Sequence, residues 1–230
     1  MTTSAFPHPH SFLVAAGFAL LALRLAGDVV PAALFSDHAV LQQGLPLPVW
    51  GTASDGEHVV VELAGQRAET TAASGKWRVT LAPIGAGGPH TLTITGKNRV
   101  VVTDVLIGEV WICSGQSNME MRLGPVSGLQ PVVNWQPAVA SADIPQMRFF
   151  TVPRKLSLTP IETTEAKWEV CSPETAPNSS AVAFFFGRAL AQARGVPIGL
   201  VHTSWGGSAA EAWMSRAALD QQPDFANDLQ

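Results

Sequence analysis

The run Val105-Leu106-Ile107-Gly108-Glu109-Val110-Trp111-Ile112-Cys113 constrains the fold of this chain more than any other stretch. It is almost continuously apolar, which suits a strand covered on both faces, as in a parallel sheet. Further along, Val182, Phe185, Phe186, Ala189, Leu190 and Ala193 recur at helical spacing. They predict a helix over residues 181–194 with one apolar stripe. Asn178, Ser179 or Ser180 can cap its start, and Gly195 and Pro197 can stop its end. Strands are expected at 147–152 and 198–203. Strand, helix and strand with short links form the βαβ signature of an α/β fold with a doubly wound parallel sheet. In such sheets the ligand sits at the carboxyl ends of the strands.

Residues 29–103 have a different texture. Strand-like runs at 29–35, 47–50, 58–63, 67–72, 77–81, 91–95 and 99–103 are separated by turn residues such as Ser54-Asp55-Gly56 and Gly96-Lys97-Asn98. Short strands at this spacing predict an all-β sandwich over 28–103, ahead of an α/β part over 104–230. Trp50 and Trp77 fit the core of such a sandwich, or a platform on which a sugar stacks. His38, His58 and His90 lack metal-ligand spacing and read as ordinary surface or rim residues.

Residues 12–23 form an apolar run too short to span a bilayer, which takes about 20 residues. Small residues follow at Leu25-Ala26-Gly27. Residues 1–27 therefore read as a signal peptide of a secreted or periplasmic protein, with a membrane-anchoring helix as the alternative. Export would allow Cys113 and Cys171 to pair, but two buried thiols fit the apolar surroundings of Cys113 better. The chain is 47% hydrophobic and only 14% charged, which excludes a disordered chain. Lys and Arg number 14 against 18 Asp and Glu, and no basic block exists to neutralise phosphates, so a nucleic-acid partner is not expected. No phosphate loop, dinucleotide fingerprint or zinc motif is present, so neither cofactor nor metal is expected.

Two strand ends carry unusual residues. The first reads Ser114-Gly115-Gln116-Ser117-Asn118-Met119-Glu120. An exposed serine at the sheet edge, at the start of a helix, suits a nucleophile. The spacing is not the Gly-x-Ser-x-Gly elbow, because Met119 stands at the second glycine position. The second reads Ser204-Trp205-Gly206-Gly207-Ser208-Ala209-Ala210-Glu211. The amides of Gly206 and Gly207 can approach an oxyanion without side-chain obstruction. Both stretches also fit a plain structural role. Ser117 with Glu120, and Ser208 with Glu211, each match the Ser-x-x-Glu capping box.

The block from Ile107 through Gly115-Gln116-Ser117-Asn118-Met119 to Met121 closely resembles the nucleophile block of the sialate O-acetylesterase family of SGNH-type hydrolases. Pro197-Ile198-Gly199-Leu200-Val201, then Ser204-Trp205-Gly206-Gly207-Ser208 and Glu211-Ala212-Trp213, resemble its second block. Residues 181–188 are similar to the helix between them. Val40-Leu41-Gln42-Gln43 and Val49-Trp50-Gly51 are similar to the family's N-terminal β-domain. The resemblance implies an SGNH, flavodoxin-like doubly wound sheet and an esterase that removes O-acetyl groups from sugars, chiefly sialic acids. It implies Ser117 as nucleophile and the amides of Ser117 and Gly207, with Gly206 the near alternative, as the oxyanion hole. Gln116, Asn118 and Glu211 are the matching substrate-binding candidates, and an acetylated sugar or glycan is the implied partner. The family's later blocks supply a further amide and an Asp-x-x-His pair. None follows here before Gln230, so the sheet is expected to be incomplete and the chain to be a fragment that lacks its base. His202 is the one imidazole in the α/β part, and strand alternation is expected to turn it away from Ser117. Acetyl xylan or another polysaccharide is the alternative substrate, and a non-catalytic carbohydrate-binding fragment is the alternative to an enzyme.

Overall fold

The computed structural model describes residues 28–157 and 159–225; the expected leader, 1–27, lies outside them. The early strands are β1 (Val30–Pro31), β2 (Val40–Gln42), β3 (Leu47–Thr52), β4 (His58–Leu63), β5 (Gln66–Thr71), β6 (Lys76–Leu81) and β7 (Gly87–Thr95). Alternation turns Val59, Val61 and Leu63 of β4, and Trp77, Val79 and Leu81 of β6, inward. β3 pairs antiparallel with β1 and β6, while β4 lies between β5 and β7. The inner sides of these two sheets share one apolar core. The strand expected at 29–35 shrinks to two residues. Pro31 has no N–H to extend a ladder, and the Phe35 N–H turns back to the Ala32 carbonyl at 2.8 Å.

β8 (Arg99–Cys113) is one strand of 15 residues that runs straight through positions 103 and 104. Asp104 takes a left-handed φ of 53° within it. Its Oδ2 accepts from Arg148 Nη2 at 2.9 Å and lies 2.7 Å from His38 Nδ1, which ties the bend to both flanks. His38 is thus a rim residue hydrogen-bonded to a carboxylate. The first part of β8 pairs antiparallel with β7, and Leu106, Ile107 and Gly108 pair in parallel with β2. Residues 109–113 pair in parallel with residues 198–202. Later strands are β9 (Ile144–Thr151), β10 (Trp168–Cys171) and β11 (Ile198–His202). β11 lies parallel to both β8 and β9, and β10 runs antiparallel to β9. The sheet is therefore mixed, and not the purely parallel sheet expected. β2 and β10 have three and four residues, too few for a periodic signal.

Helices are sparse. α1 (Ser117–Glu120) and α2 (Trp135–Ala140) are short, and α3 (Ala181–Arg194) has 14 residues. Ser180 caps α3, its Oγ accepting from the Ala183 N–H at 3.2 Å, and Gly195 ends it at φ 63°. The buried face is Ala181, Ala183, Phe184 and Gly187, whereas Val182 and Phe186 are exposed. The expected stripe is thus rotated. Gly187 sits so close to β9 and β11 that a Cβ there would meet Leu200 Cδ1 at 2.6 Å and Met147 Sδ at 2.8 Å. The helix approaches the sheet on its small residues, and Phe186 meets Trp111 edge-on at 5.1 Å instead.

Burial of both faces of the 105–113 run holds only for its first half. Val105, Leu106 and Ile107 are buried, but Trp111 is 42% and Ile112 68% exposed. Residues 109–113 have β11 on one edge, and among the described residues no strand pairs with the other. No helix among these residues is long and apolar enough to cross a membrane. Cys113 and Cys171 are buried free thiols. Burial pushes Cys171 up to about 12 and raises Cys113 as well. At pH 8 both should resist a disulfide reagent such as Ellman's in the folded chain and react fully in 6 M guanidinium. A second test concerns Gly108, where an added Cβ would meet the Pro197 carbonyl carbon at 2.6 Å and overlap its oxygen. Gly108→Ala should lower unfolding free energy by about 2–3 kcal/mol in urea titrations, because backbone cannot yield as a side chain can.

Candidate active site

β8 and β11 end side by side, with Cys113 opposite His202 in the last register pair. The pairing continues past both strands. The Thr203 N–H donates to the Cys113 carbonyl and the Trp205 N–H to the Gly115 carbonyl, each at 3.0 Å. The serine loop and the glycine loop therefore leave the sheet together. Ser117 opens α1, which is a single turn, so few aligned peptides stand behind it and the expected dipole is small.

Neither capping box forms. Gln116 holds the N-cap position of α1 with no side-chain cap bond. Glu120 reaches across to the other loop instead. Its Oε2 accepts from the Gly206 N–H, and its Oε1 accepts from Arg154 Nη1 at 2.5 Å. The Arg154 guanidinium also lies 5.7 Å over the Trp205 ring. The turn Ala210–Trp213 is capped at Ala209, not Ser208. Ser208 Oγ donates to the Trp205 carbonyl at 2.7 Å and accepts from Trp213 Nε1 at 2.8 Å, which closes the glycine loop on itself.

Ser117 is exposed, and its Oγ stands 3.5 Å from Gln116 Oε1. A Cβ built on Gly206 would lie 3.5 Å from that same Oγ. Serine hydroxyl and glycine loop thus meet at one point. The Gly206 amide is taken by Glu120. The Gly207 amide, at φ 79°, and the Ser117 amide donate to no group among the described residues. Gln116 bridges the loops, its Nε2 lying 3.5 Å from the Ser208 carbonyl. Asn118 lies beside Ser117 on a shallow cavity of about 420 Å³ that Gln116 and Met119 also line. Glu211 lies in the Ala210–Trp213 turn, and no hydrogen bond or ion pair joins its carboxylate to the others.

His202 departs from expectation. Ile198 and Leu200 pack in the cluster that holds α3 and Met119, and His202 is two residues further along on the same face. Alternation thus brings it under α1. Its Nε2 lies 2.6 Å from Ser204 Oγ, and its Nδ1 is buried without a hydrogen bond. Burial pulls its pKa below the ordinary value, while the Met119 backbone and Glu120 oppose the shift. Among the described residues no hydrogen bond joins it to Ser117. Arg154 was invisible in the sequence. It stands 34 residues from Glu120, in a loop without periodicity. Among the described residues no group of three His, Cys, Asp or Glu side chains could hold a metal ion.

Comparison with known proteins gives a consistent picture. Residues 107–225 match the family model described as carbohydrate esterase, sialic acid-specific acetylesterase. The sialate O-acetylesterase of Rattus norvegicus is 34% identical over 191 residues, covering 74% of this chain and 34% of that protein. The Homo sapiens sialate O-acetylesterase is 32% identical over 197 residues, 74% of this chain and 36% of that one. The chain thus spans about a third of the length of these relatives. A crystal structure of a carbohydrate acetylesterase from Xanthomonas citri aligns with a TM-score of 0.78 at 40% identity, over 84% of this chain and 44% of its own.

The lowered His202 pKa has a signed consequence. The unfolded chain binds that proton more readily, so the stability it contributes is full above pH 6.5 and is lost as pH falls towards the folded value. His202→Gln should flatten the fall in urea midpoint between pH 7.5 and 5.5 relative to the parent chain.

Proposed function

From a chain that belongs to the carbohydrate esterase family of sialic acid-specific acetylesterases, we propose the nucleophile-bearing part of a serine O-acetylesterase that acts on acetylated sugars, sialic acids foremost. One observation carries the reading: an exposed Ser117 hydroxyl meets the glycine loop at Gly206, and the amides of Ser117 and of the adjoining Gly207 donate to no group among the described residues. Ser117 Oγ attacks the acetyl carbonyl carbon as its proton passes to a base. The two amides hold the oxyanion, and such a donor is worth about 3–4 kcal/mol in comparable serine hydrolases. Collapse returns the proton to the sugar oxygen and frees the alcohol. Water then releases acetate from the acyl-serine by the reverse sequence.

In this reading the base is the Asp-x-x-His pair expected from the family resemblance, carried by a part of the longer relatives that this chain does not match. β9, β11 and β8 belong to an SGNH-type, flavodoxin-like doubly wound sheet. Residues 28–103 are its all-β sandwich companion, and residues 1–27 direct a secreted or periplasmic protein. Gln116, Asn118 and Glu211 contact the sugar. The 40% identity to a carbohydrate acetylesterase from Xanthomonas citri supports a second, broader reading as a carbohydrate acetylesterase, within which acetyl xylan or another polysaccharide is the alternative substrate.

In protein that hydrolyses acetyl esters, Ser117→Ala should cut kcat at least about 10⁴-fold. A fluorophosphonate probe should mark the parent and not the variant; equal labelling of both would remove Ser117 from the mechanism. Relative rates on O-acetylated sialic acid and acetylated xylan decide between the two substrate readings.

A further inference from the structure

A cavity of about 680 Å³ opens between the first strands and the loop after β9, within the range of about 300–1,000 Å³ typical of small-molecule sites. Leu34, Trp50, Val152 and Ile161 make its apolar floor, with Lys155 and Glu165 among its lining residues. Trp50 is held edge-on by Phe35 at 4.8 Å between centroids. Its indole N–H donates to no group among the described residues, unlike that of Trp77, which is buried and bonds the Thr52 carbonyl at 3.1 Å. Of the two tryptophans, Trp77 serves the core and Trp50 faces a space. Among the described residues neither Lys155 nor Glu165 enters an ion pair, whereas the neighbouring Glu162 and Arg154 do. Arg154 lines the same cavity and bonds Glu120, which holds the Gly206 amide next to Ser117. The cavity and the serine point therefore share a wall.

We infer that this cavity is a subsite for the glycan chain beyond the ester-bearing sugar. The inference rests on the esterase reading and adds to it the shape of the substrate: an oligosaccharide, not a single sugar. A pyranose ring offers an apolar C–H face to a braced indole and a rim of hydroxyls that both give and accept hydrogen bonds. One unpaired ammonium, one unpaired carboxylate and a free indole N–H meet that rim without leaving a charge stranded. A wholly apolar occupant would desolvate both charges without partners, which is costly.

The test is calorimetric titration of the chain with 3′-sialyllactose and with xylotetraose, neither of which carries the scissile ester. At least one should bind. Trp50→Ala should weaken that binding about tenfold, the scale of a lost aromatic contact. Thr163→Trp, an exposed loop change that fills the cavity from its rim, should do the same if Trp50→Ala fails to fold. In a longer protein that carries the base, fluorophosphonate labelling of Ser117 should be unchanged in both variants. Absence of binding by either sugar, or binding that both variants leave intact, overturns the subsite. Sugar binding that responds to the variants, together with a Ser117 that never labels in a longer protein carrying the Asp-x-x-His pair, supports the subsite and counts against the esterase reading alone.

Discussion

The parallel pairing of residues 109–113 with β11 is the interaction on which the candidate site depends. It brings two loops that are about 90 residues apart in the chain to adjoining strand ends. The backbone bonds from Thr203 to Cys113 and from Trp205 to Gly115 then extend the pairing into both loops. Register is fixed by burial: Ile198 and Leu200 point into the cluster beneath α3, and each fully buried side chain of this size contributes about 1.5–3 kcal/mol. A slip of one residue would turn them outward and reverse His202 as well.

Across that paired base, Glu120 acts as a second tie between the loops. Its carboxylate takes the Gly206 amide and the Arg154 guanidinium together. A lone carboxylate beside a developing oxyanion would raise the cost of that charge. Arg154 offsets it, though at 53% side-chain exposure solvent screens part of the effect. The same arrangement explains why Gly207, not Gly206, is the glycine whose amide remains free. Arg154 also lines the cavity at Trp50, so one side chain touches both the serine loop and the early strands' cavity.

Much of the local structure was legible. β4 and β6 alternate cleanly, and α3 begins and ends where Ser180 and Gly195 place it. Those signals are local, set by capping chemistry and side-chain periodicity. Three expectations failed for a common physical cause. The helix stripe was rotated because Gly187 permits a close approach that hydrophobicity alone does not encode. Trp111 and Ile112 are exposed because covering a strand's face depends on neighbours, not on the strand. The capping boxes did not form because Glu120 meets the Gly206 amide and Arg154 across the chain, and because Ser208 bonds the Trp205 carbonyl and the Trp213 indole.

The sequence by itself determined where most of the longer strands, the turns and the long helix lie, and which serine and glycines stand at strand ends. Short-range backbone and side-chain preferences suffice for that. Only the tertiary structure decided that Ser117 and the glycine loop share one point, that Glu120 withdraws the Gly206 amide, and that Arg154 stands between site and cavity. Those outcomes depend on contacts between residues 34 to about 90 positions apart, and no local preference specifies which of many distant partners a side chain will meet.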